Sequence, residues 1–158
     1  YPFGEYSSSF KEIIKNNNFK LAFGQHSGVI DLTKDPFELP RFPINENYGK
    51  IDRFKFIIKT IPFQFKRIYP ENKYLPLNEN PTNVKIVFFR TQKNLQNITC
   101  YSNEGNRWRQ SKIKFENENI LYIKIEEKFI TERGRINCSL NDTEGWRWFG
   151  IQFVISEY

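Results

Sequence analysis

The chain has 158 residues, 39% of them hydrophobic and 17% aromatic, with 16 Phe and no Met. That is too apolar for a disordered tail, and no run approaches the ~20 apolar residues of a membrane-spanning helix. The balance of 24 basic against 18 acidic residues gives a formal +6, but the basic residues are dispersed. Without a charged block or a nucleic-acid motif the charge does not point to nucleic acid, and a basic surface equally suits an anionic wall or capsule.

The chain opens with Tyr1-Pro2-Phe3-Gly4-Glu5-Tyr6, a tight-turn signal. Pro2 fixes its own φ, and Gly4 tolerates a positive one. Ser7-Ser8-Ser9 offers N-caps, and Ser9 with Glu12 fits a capping box ahead of a helix carrying Phe10, Ile13 and Ile14. Leu21-Ala22-Phe23 reads as a short buried strand. It runs into Gly24-Gln25-His26-Ser27-Gly28, a polar loop where an α/β fold would place chemistry. Leu39-Pro40-Arg41-Phe42-Pro43-Ile44 holds two prolines and is read as an extended edge segment. Arg41 either faces a carboxylate or anionic sugar or forms a surface salt bridge. Ile51, Phe54, Ile57, Ile58 and Ile61 form a helical stripe expected to pack on this first unit. Residues 63–83, with Pro70, Pro76 and Pro81, have the composition of a linker.

From Val84 onward the pattern is β: 84–89, 98–101, 113–115, 120–125, 134–139 and 146–154, with Asn- and Gly-rich turns between. Lengths and spacing suit a sandwich. Trp146 and Trp148 share one strand face and are read either as sugar-stacking rings or as core aromatics, the core reading being stronger for Trp148. Trp108, between Arg107 and Arg109, is expected to be exposed and able to stack on a sugar. Three glycosylation triplets, at Asn97, Asn137 and Asn141, are common by chance in an Asn-rich chain. Cys100 and Cys138 sit in strand-like segments and are read either as a pair or as two buried thiols.

Three stretches in order, Tyr1–Tyr6, Phe23–Gly28 and Leu39–Glu46, followed by Arg135-Ile136-Asn137-Cys138, resemble the last third of polysaccharide deacetylases. These are the NodB-homology proteins, carbohydrate esterase family 4. The resemblance implies an α+β chain: residues 1–62 as the C-terminal part of a (β/α) barrel-like deacetylase domain, 63–83 as linker, and 84–158 as a small β-sandwich. It implies deacetylation of a cell-surface or exported polysaccharide by a longer parent. The parent's zinc-like divalent metal would be held by an Asp and two His absent from this chain, which would itself lack a cofactor and be inactive. Expected partners are the polysaccharide and a preceding part of the same chain, with no nucleic acid and no transmembrane segment.

By position, Phe3 inherits an oxyanion-binding backbone N–H. His26 becomes either a general acid or a residue of the rim. Pro2, Gly4, Gln25, Ser27, Arg41 and Trp108 become substrate contacts. Export to a periplasmic, cell-surface or secreted location favours a Cys100–Cys138 disulfide. The alternative reading is a non-catalytic carbohydrate-binding or cell-surface β-sandwich module.

Overall fold

The computed structural model describes residues 1–89 and 94–156. Among these residues ten strands form two sheets: β1 (Ile61–Pro62), β2 (Phe65–Tyr69), β3 (Tyr74–Pro76), β4 (Asn83–Phe88), β5 (Thr99–Ser102), β6 (Arg109–Gln110), β7 (Ile113–Asn117), β8 (Ile120–Lys124), β9 (Arg133–Asp142) and β10 (Gly145–Ser156). The first sheet runs β1-β10-β9-β5-β6, with β3 also on β10, and the second runs β2-β4-β8-β7. Alternation along β9 turns Ile136, Cys138 and Leu140 inward, and β10 adds Phe149, Ile151, Phe153 and Ile155. They meet Val84, Ile86, Phe88, Leu121 and Ile123 of the second sheet in one core. Phe63 crosses between the layers, its ring edge-on to Phe149 at 5.1 Å and fully buried. Cys100 and Cys138 are directly opposed on β5 and β9 and joined by a disulfide.

The structure corrects the expected deacetylase barrel. Residues 1–60 supply two short helices, α1 (Ser8–Asn16) and α2 (Ile51–Ile57), and no strand pair beyond isolated bridges. Leu21-Ala22-Phe23 is not a buried strand: Leu21 and Phe23 are exposed, and only Phe23 bridges to Leu39. The cap of α1 is Ser7, whose side chain accepts from the Phe10 N–H, in place of the expected Ser9–Glu12 box. The α2 stripe does not pack inward, since Ile51, Phe54 and Ile58 are exposed, and Phe56 instead meets the Trp146 ring at 5.9 Å. The strands expected after residue 84 are present. Residues 90–93 and 157–158 of the expected sandwich domain lie outside those described.

Residues 63–83, expected as linker, carry β2 and β3. β9 pairs with β10 from Gly145 to Val154. β1 and β3 therefore lie on the other edge of β10, parallel to it, at 147–148 and at 154–156. Between them the edge of β10 is open, apart from a bridge from Gly28 to Phe149. The intervening β2 has crossed to the edge of the second sheet. The side seam of the sandwich is thus left unzipped over a few residues.

Candidate functional site

Residues 26–40 roof this seam and enclose a cavity of about 240 Å³. Its walls come from the open stretch of β10 (Phe149 to Gln152), from β2 (Phe65 to Ile68), from Lys73 just before β3, and from Tyr6, Lys11, Lys34, Asp35 and Glu38 of the N-terminal layer. Gly150 makes the close approach possible: a Cβ there would lie 2.8 Å from the Ser27 backbone and from Asn137 Oδ1. Ser27 Oγ accepts from the Trp148 indole N–H at 2.7 Å and donates to Asn137 Oδ1 at 2.8 Å. The Val154 N–H donates to the Lys73 carbonyl at 2.7 Å, which anchors the far end.

The wall is strongly polar. Lys11 reaches Asp35 at 2.9 Å and Glu38 at 2.8 Å, so these three charges satisfy one another. Burial works against the Asp35 carboxylate, but the Phe37 N–H and Lys11 outweigh it and hold its pKa low. Lys73 is buried, and its amine donates to the Pro70 carbonyl at 2.5 Å and the Glu71 carbonyl at 3.0 Å. Burial pushes its pKa down to about 8, against a pull upward from Glu38. His26 keeps some surface open to the cavity, yet its ring is enclosed by protein. That enclosure, reinforced by the charge on Lys73, lowers its pKa to about 4 and leaves it neutral. Gln152 accepts from Arg135 Nε at 3.2 Å, while its buried amide nitrogen has no partner.

The residues singled out in the sequence divide into three groups. Phe3, Gln25 and Arg41 come together: with the Gln25 amide turned so that its nitrogen faces Phe3, it donates to the Phe3 carbonyl and accepts from Arg41, both at 3.2 Å. Among the described residues Arg41 forms no ion pair, so the expected surface salt bridge is not found. Pro2 and Phe3 are exposed in a short 3-10 turn, and Phe3 has φ 53° and lies under Arg133. Gly4 sits at φ +70°, where an added Cβ would strike Gln25. His26 and Ser27 line the cavity; Trp108 is exposed in a separate loop of the first sheet's edge. Trp148 is not a core residue, since it faces outward to Ser27 and Phe42. Lys73 and Gln152 carried no local signal in the sequence.

Among the described residues, no three His, Cys, Asp or Glu side chains are grouped so as to hold a metal ion. No helix among them is long and apolar enough to cross a membrane.

No protein-family model matches the chain, and neither does any curated protein. Among solved structures, the chain is weakly similar to PcoC, a copper resistance protein from Escherichia coli. Its selenomethionine form gives a TM-score of 0.43 at 9% identity over 59% of this chain and 99% of that one. A second crystal structure, of PcoC described as methionine rich, gives 0.42 at 9% identity over 59% and 97%. Likeness at this level carries no argument about function. The deacetylase resemblance is corrected: its motifs form turns and a sheet cover around a β-sandwich, without the barrel that its chemistry requires.

Proposed function

We propose that the chain is a non-catalytic binding module, a disulfide-stapled β-sandwich of an oxidising, exported compartment, that holds a small hydroxyl-rich ligand of carbohydrate type in its seam cavity. The observation that carries this reading is the cavity of about 240 Å³ that the N-terminal layer forms over the open stretch of β10. The Tyr6, Phe65 and Phe149 rings on the same wall offer the apolar contact that a sugar face takes. The cavity lies just below the range of about 300–1,000 Å³ typical of drug-sized ligands, which suits a single sugar ring.

The site's side chains favour binding over turnover. The Ser27 hydroxyl is committed at both ends, and His26 is held neutral far below working pH. A Cys100–Cys138 disulfide fits a compartment where thiols oxidise.

Incubation with acetylated and with free oligosaccharides tests the reading. Retention of sugar without acetate release or chain cleavage is expected. Acetate release that scales with protein and disappears in His26→Gln overturns it.

A further inference from the structure

We propose that the outer face of the second sheet is a separate binding surface for an acidic polysaccharide chain, with Lys112, Lys114 and Lys124 meeting its carboxylates and Tyr122 its sugar rings. The proposal is independent of the seam cavity, whose walls share none of the residues that line this groove.

The alternation that builds the core also builds this face. Val84, Ile86, Leu121 and Ile123 point inward, and Ile113 and Phe115 pack against them. The residues between them therefore point outward. Register sets those residues in rows. Lys114 lies opposite Tyr122, Tyr122 opposite Lys85, and Lys85 opposite Tyr69, so lysine and tyrosine alternate across all four strands. In the next row Asn83 lies opposite Lys124, whose N–H donates to the Lys112 carbonyl. Lys112, Lys114, Lys124, Glu116, Asn83 and Tyr122 line a groove of about 590 Å³ along these rows.

The charges of the face do not cancel. With Lys85 there are four lysines, against Glu116 in the groove and Glu126 just outside it. Glu116 accepts from the Tyr122 hydroxyl at 2.7 Å and stands 3.8 Å from Lys85. Glu126 is shared by Lys112 at 2.6 Å and Lys124 at 3.9 Å. Lys114 is exposed, and among the described residues no carboxylate lies within ion-pair distance of it. The Lys112 and Lys124 side chains are 74% and 59% exposed, where an ion pair is weak and a ligand's carboxylate can take the place of Glu126.

The same features select the partner. Lysines spread over an open face suit a chain that repeats its charge, not one enclosed ion. Tyr122 and Tyr69 stand two strand spacings apart, about 10 Å, so a ligand that reaches both is a run of rings. The groove holds lysines and no arginine, so it lacks the bidentate fork that suits phosphate. The Cys100–Cys138 disulfide fits a compartment outside the cytosol, which favours a polysaccharide over nucleic acid.

Binding to immobilised polygalacturonate at pH 7 tests the proposal, with its methyl-esterified form, polyphosphate and single-stranded DNA as competitors. The acidic polymer is expected to bind at least tenfold more tightly than the esterified one and than either phosphate polymer. Raising salt from about 50 to about 500 mM is expected to weaken it at least tenfold, because exposed charges are screened. Lys114→Gln with Lys124→Gln is expected to weaken binding at least tenfold, and Tyr122→Ala at least threefold. Lys20→Gln with Lys50→Gln removes the same charge from the N-terminal layer and is expected to leave binding unchanged. All four of these lysines are exposed, and thermal unfolding checks that each variant is folded.

Equal losses in the two lysine pairs would reduce the effect to net charge and overturn the site. Equal binding of the acidic and esterified polymers overturns the role of the carboxylates. Phosphate polymers that compete as strongly as polygalacturonate overturn the choice of partner, and no binding at low salt overturns the surface itself. Glucose binding in the seam is expected to be unaffected by Lys114→Gln with Lys124→Gln, so the two sites fail separately.

Discussion

The Trp148 indole N–H donates to Ser27 Oγ at 2.7 Å, across 121 residues of sequence. With Asn137 Oδ1 on the other side of the hydroxyl, this chain of bonds fastens the N-terminal layer to the outer face of the first sheet. Ser27→Ala leaves both a partly buried indole N–H and an amide oxygen without partners. A loss of about 1–3 kcal/mol is expected in urea unfolding. An unchanged midpoint would mean that the roof is not fastened here.

Gly150 sets how closely the roof approaches. Gly150→Ala puts a Cβ 2.8 Å from the Ser27 N and O atoms, backbone that cannot swing aside. Overpacking of this kind costs about 1–3 kcal/mol. Loss of the Trp148 fluorescence environment at unchanged far-ultraviolet circular dichroism would show the roof lifting from an intact sandwich.

Glu104 is a buried structural acid. Its carboxylate accepts from Ser102 Oγ at 2.5 Å and from the Glu126 and Glu127 N–H groups at 2.7 and 2.8 Å. Glu104→Ala orphans the Glu126 and Glu127 N–H groups, while Ser102 Oγ keeps Ser111 Oγ at 2.8 Å, and a loss of about 2 kcal/mol or more is expected from thermal or urea unfolding. A loss below about 1 kcal/mol would show that water replaces the carboxylate.

Much of the sandwich was legible because its strands obey a two-residue period. Val84, Ile86 and Phe88 are buried in turn along β4, as are Gly134, Ile136, Cys138 and Leu140 along β9. β2 and β3 were hidden by Pro70 and Pro76, which read as linker, yet β3 is only three residues long and lies at a sheet edge, where proline is tolerated. The N-terminal layer was misread because Pro2-Phe3-Gly4 and the Gly24–Gly28 loop carry turn chemistry that many folds use. The cavity had no local signature at all. Lys73 reaches the cavity wall only because the Val154 N–H pairs with the Lys73 carbonyl, a contact set by long-range sheet register.

His26 makes stability depend on pH. Its folded pKa of about 4 lies below the unfolded value of about 6.5, so the unfolded chain binds the extra proton. The contribution is fully present above pH 6.5 and falls away as pH drops through 4. A decline on the order of 2 kcal/mol is expected across that window, discounted for the ring's partial exposure. His26→Gln should flatten the window, and a decline unaltered by that change would assign it to the carboxylates.

Cys138→Ala should lower stability by about 2–5 kcal/mol, since the disulfide closes a separation of 38 residues. Non-reducing mass spectrometry of protein from an oxidising compartment should recover one peptide pair joined through Cys100 and Cys138. Two alkylatable thiols would contradict the pairing.

The unzipped seam beside β10 is proposed as the place where ligand binds. A two-dimensional NMR titration with glucose, following backbone amides, tests this most directly. A ligand site in the seam predicts shifts confined to residues 26–29, Lys73 and 149–152. Shifts centred on Trp108, or none in the seam, would contradict it.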